Sequence, residues 1–157
     1  MVSIEWCVKH KDGLKAVPPN KNMSDSYLKM AEESITALEG LKESRIWTAT
    51  ASYYVFYYSL YSLMLRIGFK CEIHLCSLEF MKVFLNDSYD SRDMEMIMKA
   101  FTARQNLQYY TDRPVDDKYI EQVKKYCKDF YIKTKDAQAN ITDAQIEAIR
   151  KKLMRNL

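Results

Sequence analysis

The chain is poor in the residues that turn a backbone. Its 157 residues include three glycines and three prolines, and a fold of many strands needs more tight turns than these can supply. The shortage excludes two nucleotide-binding motifs. The dinucleotide fingerprint and the phosphate loop each place two or three glycines in a short window, whereas here they stand apart at Gly13, Gly40 and Gly68. Histidine is scarcer still, with His10 and His74 alone. Strong charge of one sign is also missing. The 24 Lys and Arg against 21 Asp and Glu leave a net charge of +3, too little for a generally basic nucleic-acid binder, so any cationic site must be local.

The opening MVSIEWCVKHK shows no apolar stretch of leader length and no small-residue cleavage site, which predicts a cytoplasmic chain in a reducing compartment. Cys7, Cys71, Cys76 and Cys127 are then predicted to be four thiols that behave as small buried hydrophobes. One uncharged run, Ile46 to Leu65, has the length of a bilayer span. Ten of its twenty residues carry a hydroxyl, which hydrocarbon tolerates poorly, so a buried helix of a bundle is expected and no membrane contact.

What the chain has in abundance is helical spacing. Residues 1–22 mix charge, Gly13 and the pair Pro18 and Pro19, and predict an extended or partly ordered arm. A bundle is predicted over residues 23–138. Leu28, Ala31, Ile35 and Leu38 mark its first helix, with Gly40 placed for a left-handed C-terminus. The second runs from Ser44 to Ile67, is stopped by Gly68 and carries two adjacent apolar stripes, the mark of a central helix. The third covers His74 to Leu85. The fourth starts near Ser91 with Met94, Ile97 and Phe101 in one seam, and Pro114 closes the segment after it. Asp116 caps the fifth, whose core side is Ile120, Val123, Cys127 and Phe130. Residues 139–157 hold an additional C-terminal helix, opened by a Thr142–Gln145 capping box and lined by Ile146, Ile149 and Leu153. Long helices with short connections predict an all-α, up-and-down antiparallel helical bundle.

The seam of the fourth helix continues into Arg104 and Gln108, so a charge enters an apolar stripe. Arg104, Gln105, Asn106, Gln108, Tyr109 and Tyr110 gather hydrogen-bond donors and ring faces in seven positions, a set suited to phosphate and base contacts. The competing reading pairs Arg104 with a carboxylate of another helix, or sets it across a dimer interface. His74 lies between Cys71 and Cys76. A zinc ion there would want a fourth ligand, and Cys76 falls inside a predicted helix, so neither a metal nor another cofactor is expected. His10, between Lys9 and Lys11, is predicted to be solvated.

The order of these pieces resembles the HEPN superfamily of small helical proteins. The resemblance is carried by SYLKMAEESITALEG, by TATASYYVFYYSLYSLMLRIGFKCEIHLCSLEFM and by FTARQNLQYYTD, within residues 24–112. It implies a HEPN-type bundle and a homodimer whose two sites face each other. Active members cleave RNA without metal, using an arginine that stands shortly before a histidine on one helix. Arg104, Gln105 and Asn106 match the start of that motif, but Tyr109, Tyr110 and Thr111 occupy the histidine positions. A phenol with a pKa of about 10 moves protons poorly near neutral pH, where imidazole works well. The resemblance therefore implies an RNA- or nucleotide-binding HEPN protein with a degenerate ribonuclease motif. It also implies a toxin–antitoxin-like pair with a small nucleotidyltransferase, for which Tyr109 or Tyr110 is a candidate acceptor of a nucleotide. Two alternatives remain. In a metal-independent endoribonuclease, His74 or a tyrosine such as Tyr109 replaces the motif histidine, which requires His74 to approach Arg104. In a non-enzymatic assembly or scaffold protein, Arg104 is locked in a buried salt bridge.

Overall fold

The computed structural model describes residues 2–155. In chain order the elements are α1 (Ile4–Lys9), β1 (Lys15–Ala16), α2 (Lys21–Gly40), α3 (Arg45–Ile67), β2 (Phe69–Lys70), α4 (His74–Phe84), α5 (Ser91–Tyr109), α6 (Asp117–Asn140) and α7 (Asp143–Met154). The fold is an all-α bundle with one very small sheet.

The four long helices alternate in direction. Tyr27 near the start of α2 packs on Tyr61 near the end of α3 with ring centroids 4.9 Å apart, at the end of the pair remote from the short turn that joins them. Gln108 near the end of α5 reaches Thr50 near the start of α3. Lys99 and Asp93 of α5 meet Gln122 and Tyr126 of α6 in reverse order. Helix α3 touches the other three long helices, α2, α5 and α6, and 16 of its 23 residues are buried, as a helix with neighbours on several sides must be. Its hydroxyl content fits that position. Ser59 and Ser62 donate back to the carbonyls of Val55 and Ser59 at 2.6 Å each, which hides their polarity inside the helix. Among the described residues no helix is long and apolar enough to cross a membrane.

Several caps stand where the sequence placed them. Asp116 accepts from the Lys118 amide, and Thr142 with Gln145 forms the full capping box of α7. Gly40 does not act as a left-handed stop. It is the last residue of α2, Leu41 is the C-cap, and the left-handed turn falls on Glu43 at φ 52°. The reason is that α2 continues until the turn must bend into α3, and the bend sets the strained position there.

The N-terminal segment differs most from expectation. It carries α1 and β1, and β1 pairs antiparallel with β2 through Lys15–Lys70 and Ala16–Phe69. Gly68 sits just before β2 at φ 96°, and a Cβ there would meet the Val17 carbonyl oxygen at 2.6 Å, so glycine is required. Arg150 of α7 clamps the same corner by donating to the carbonyls of Val17, Ile67 and Gly68. The expectation of four thiols is also corrected. Cys7 and Cys76 form a disulfide between α1 and the first turn of α4, with Cα atoms 5.6 Å apart. Both cysteines are fully buried, and helical spacing carries no information about a pairing 69 residues long. Cys71 and Cys127 are the buried thiols.

Candidate functional site

Helix α5 is anchored at its start by the Asp90–Asp93 capping box. Its seam lays Phe101 against Tyr53 of α3 and then presents Arg104 one turn later. The Arg104 guanidinium carbon lies 5.1 Å from the centroid of the Tyr53 ring, 5.4 Å from Tyr54 and 5.6 Å from Tyr109. One Nη donates to the Tyr109 hydroxyl at 3.2 Å. The Nε is buried and has no hydrogen-bond partner. Among the described residues no carboxylate pairs with this arginine. It is a half-buried cation held by ring faces and one phenol hydroxyl, with no countercharge beside it.

His74 is the first residue of α4. Its ring stacks on Tyr57 at 4.0 Å between centroids, and its Nδ1 lies 2.6 Å from the Tyr53 hydroxyl. Burial, and after it the positive charge of Arg104, push its pKa down to about 4, so the imidazole is neutral at neutral pH. Tyr53 and Tyr57 are pushed well up by burial and stay protonated.

The structure therefore brings His74, Arg104 and Tyr109 together, with Tyr53 at the centre. Tyr53 was not a candidate from sequence. Five tyrosines lie along α3, and spacing gives their face without ranking them. The available signal is that a buried phenol wants a hydrogen-bond partner; Tyr53 is fully buried, and His74 meets that need. The remaining candidates disperse. Gln108 turns to Thr50 Oγ1 at 2.8 Å and ties α5 to α3. Gln105 is half-buried. Asn106 and Tyr110 open onto a different cleft of about 630 Å³, shared with Ile46 and Arg113, where the Arg113 guanidinium stacks on Tyr110 at 3.8 Å.

His10 is not simply solvated. It is half-buried, its Nδ1 accepts from the Asp12 amide at 3.2 Å, and its ring lies 4.8 Å from Trp6. Its local turn gives it these partners. Cys76, being in a disulfide, cannot serve as a thiolate ligand beside His74, and among the described residues no group of three or more His, Cys, Asp or Glu is placed to hold a metal ion. Chemically, the Arg104 cluster offers a planar cation, a neutral imidazole and an exposed phenol ring, a set that can bind an anion and move one proton. No family model matches the chain, and neither a curated protein nor a solved structure matches it.

Proposed function

We propose that the chain is an RNA- or nucleotide-binding protein of HEPN type with a degenerate ribonuclease motif, centred on Arg104. One observation carries this reading: a half-buried guanidinium with a buried, unpartnered Nε and no carboxylate beside it. Withdrawing a cation from water is costly, and ring faces offset only part of that cost. A phosphate oxygen is the acceptor that a guanidinium fork fits best. Tyr109, 63% exposed and bonded to the arginine, adds a face on which a base can stack. The scaffold reading expects a buried salt bridge at Arg104, which the site does not contain among the described residues. The test is binding of a mixed single-stranded RNA pool without metal. Arg104→Ala is expected to weaken it about tenfold or more, some 1.4 kcal/mol, with folding intact; unchanged binding refutes the reading.

A second reading, a metal-independent endoribonuclease, draws on the link through Tyr53. Neutral His74 could accept the 2′-hydroxyl proton while Arg104 stabilises the charge that develops on phosphorus oxygens. Metal-free cleavage that is lost in both His74→Gln and Arg104→Ala would establish it. The absence of cleavage under conditions of saturated binding would exclude it.

The resemblance further suggests a homodimer and a nucleotidyltransferase partner. In that pairing the Tyr109 oxygen attacks the α-phosphorus of a nucleoside triphosphate bound by the partner enzyme, pyrophosphate leaves, and the phenolic proton passes to solvent. Co-expression with such an enzyme should add a nucleotide mass to the Tyr109 peptide; an unmodified peptide would remove this part of the proposal.

A further inference from the structure

Arg104 and His74 come from different helices and meet across one residue. The Tyr53 ring lies under the guanidinium at 5.1 Å, and its hydroxyl meets His74 Nδ1 at 2.6 Å. Tyr57 covers the imidazole face at 4.0 Å. No carboxylate pairs with Arg104 or His74 among the described residues. A second positive charge on His74 is therefore opposed by Arg104 and compensated by nothing. An anion seated on Arg104 reverses that balance, because it cancels the opposing charge and adds an attractive one nearby. We propose that Arg104, Tyr53 and His74 form one proton-coupled anion site, in which a phosphodiester oxygen bound at Arg104 draws a proton from solvent onto His74 while Tyr53 holds the imidazole in both states. The proposal rests on the anion-binding reading above and adds to it a positioning residue, Tyr53, and a pH dependence.

A phenol suits this role because it both donates and accepts. It donates to Nδ1 of the neutral ring, and after protonation it accepts from the new Nδ1–H. Phenylalanine at the same position can do neither. The groups facing His74 are Tyr53 and Tyr57 from α3 and Arg104 from α5, while the buried Cys71 stands three residues before it in the connection from β2. Burial holds Tyr53, Tyr57 and Cys71 in their neutral forms, which leaves His74 as the group able to change. The proton balance is simple: one imidazole becomes one imidazolium, and buffer loses one proton. In the free protein His74 titrates at about 4, and occupancy of Arg104 raises that value. Affinity must then increase as pH falls through the bound-state value, by at most about tenfold per pH unit for one proton.

The probe is an oligouridylate lacking a terminal phosphate, since terminal phosphates titrate near pH 6. Its affinity is measured by calorimetry between about pH 5 and 8 in buffers of different ionisation enthalpy. Wild type should bind more tightly toward acid with net proton uptake. His74→Gln should show a flat profile without uptake, and Tyr53→Phe should show reduced uptake. The NMR titration of His74 in the wild type, assigned against a His10→Gln chain, needs no variant at the site. Its midpoint should rise when the probe is bound. An unmoved midpoint, or equal pH slopes in wild type and His74→Gln, overturns the coupling even when Arg104→Ala abolishes binding. Binding that is indifferent to Arg104→Ala instead overturns the anion-binding reading itself, and the two failures are thereby told apart.

Discussion

Three arginines show what sets Arg104 apart. Arg45 pairs with Asp117 at 2.6 Å and reaches the Val115 carbonyl. Arg150 donates to the carbonyls of Val17, Ile67 and Gly68. Both are satisfied by the protein and act as clamps. Arg104 has a phenol, three ring faces and an empty Nε. The hydroxyl of Tyr53 is equally specific in its task, because Tyr53→Phe leaves His74 Nδ1 without its partner. That substitution is expected to cost about 1–2 kcal/mol in urea unfolding, the usual penalty for a stranded buried polar atom. The pH dependence of stability follows from His74 as well. Its folded pKa of about 4 lies below the ordinary value of 6.5, so the unfolded chain takes up the proton first. His74 therefore contributes nothing adverse above about pH 6.5 and destabilises increasingly as pH falls from there toward 4. His74→Gln should show a smaller drop in Tm across that window than wild type. Both Arg104 and His74 were legible in the sequence, as a charge in an apolar stripe and as a rare imidazole. Their meeting at Tyr53 was not, because spacing along one helix assigns a face and says nothing of what arrives from another.

At the scale of elements, the long helices were readable from apolar periodicity and from capping residues such as Asp116 and Thr142. The turns were less so. Gly40 looked like a stop, yet α2 passes through it and Glu43 takes the left-handed backbone. Gly68 is where glycine is obligatory, and Gly68→Ala should destabilise by about 1–3 kcal/mol through its positive φ and the close Val17 carbonyl. Asp93 shows how a polar residue can hold two helices together. It is fully buried, accepts from the Asp90 amide and the Tyr126 hydroxyl, and pairs with Lys133 at 2.5 Å. Asp93→Ala strands the Tyr126 hydroxyl and leaves the partly exposed Lys133 with Asp90 alone, with an expected loss of about 1–3 kcal/mol and no change in helix content below the transition. The sequence reading did not single out Asp93, because its partners on α6 are set by the packing of α5 on that helix.

At the scale of the whole molecule, the bundle is closed by contacts that join the ends of the chain. Arg150 near the C-terminus and the disulfide near the N-terminus both fasten the region around β2 and α4. Four free thiols were expected, whereas folding buries Cys7 and Cys76 against each other in a disulfide. A cross-link spanning 69 residues is expected to contribute about 4 kcal/mol by restricting the unfolded chain. Cys7→Ala should lower the urea midpoint accordingly, and thiol titration of the denatured, unreduced wild type should find two reactive groups, Cys71 and Cys127. Four would show that the bond is absent. The same tie holds the first turn of α4, from which His74 projects toward Tyr53, so the N-terminal segment supports the site although it contributes no side chain to the Arg104 cluster.

The most direct test of the site is the affinity of metal-free single-stranded RNA for wild type, Arg104→Ala and Arg92→Ala, compared at matched Tm and oligomeric state. Arg92 lies at the opposite end of α5 and controls for general loss of positive charge. A weakening of about tenfold or more in Arg104→Ala, with Arg92→Ala close to wild type, is the expected result. Equal affinity in all three proteins would contradict an anion-binding role for Arg104 and leave the tyrosine cluster as packing.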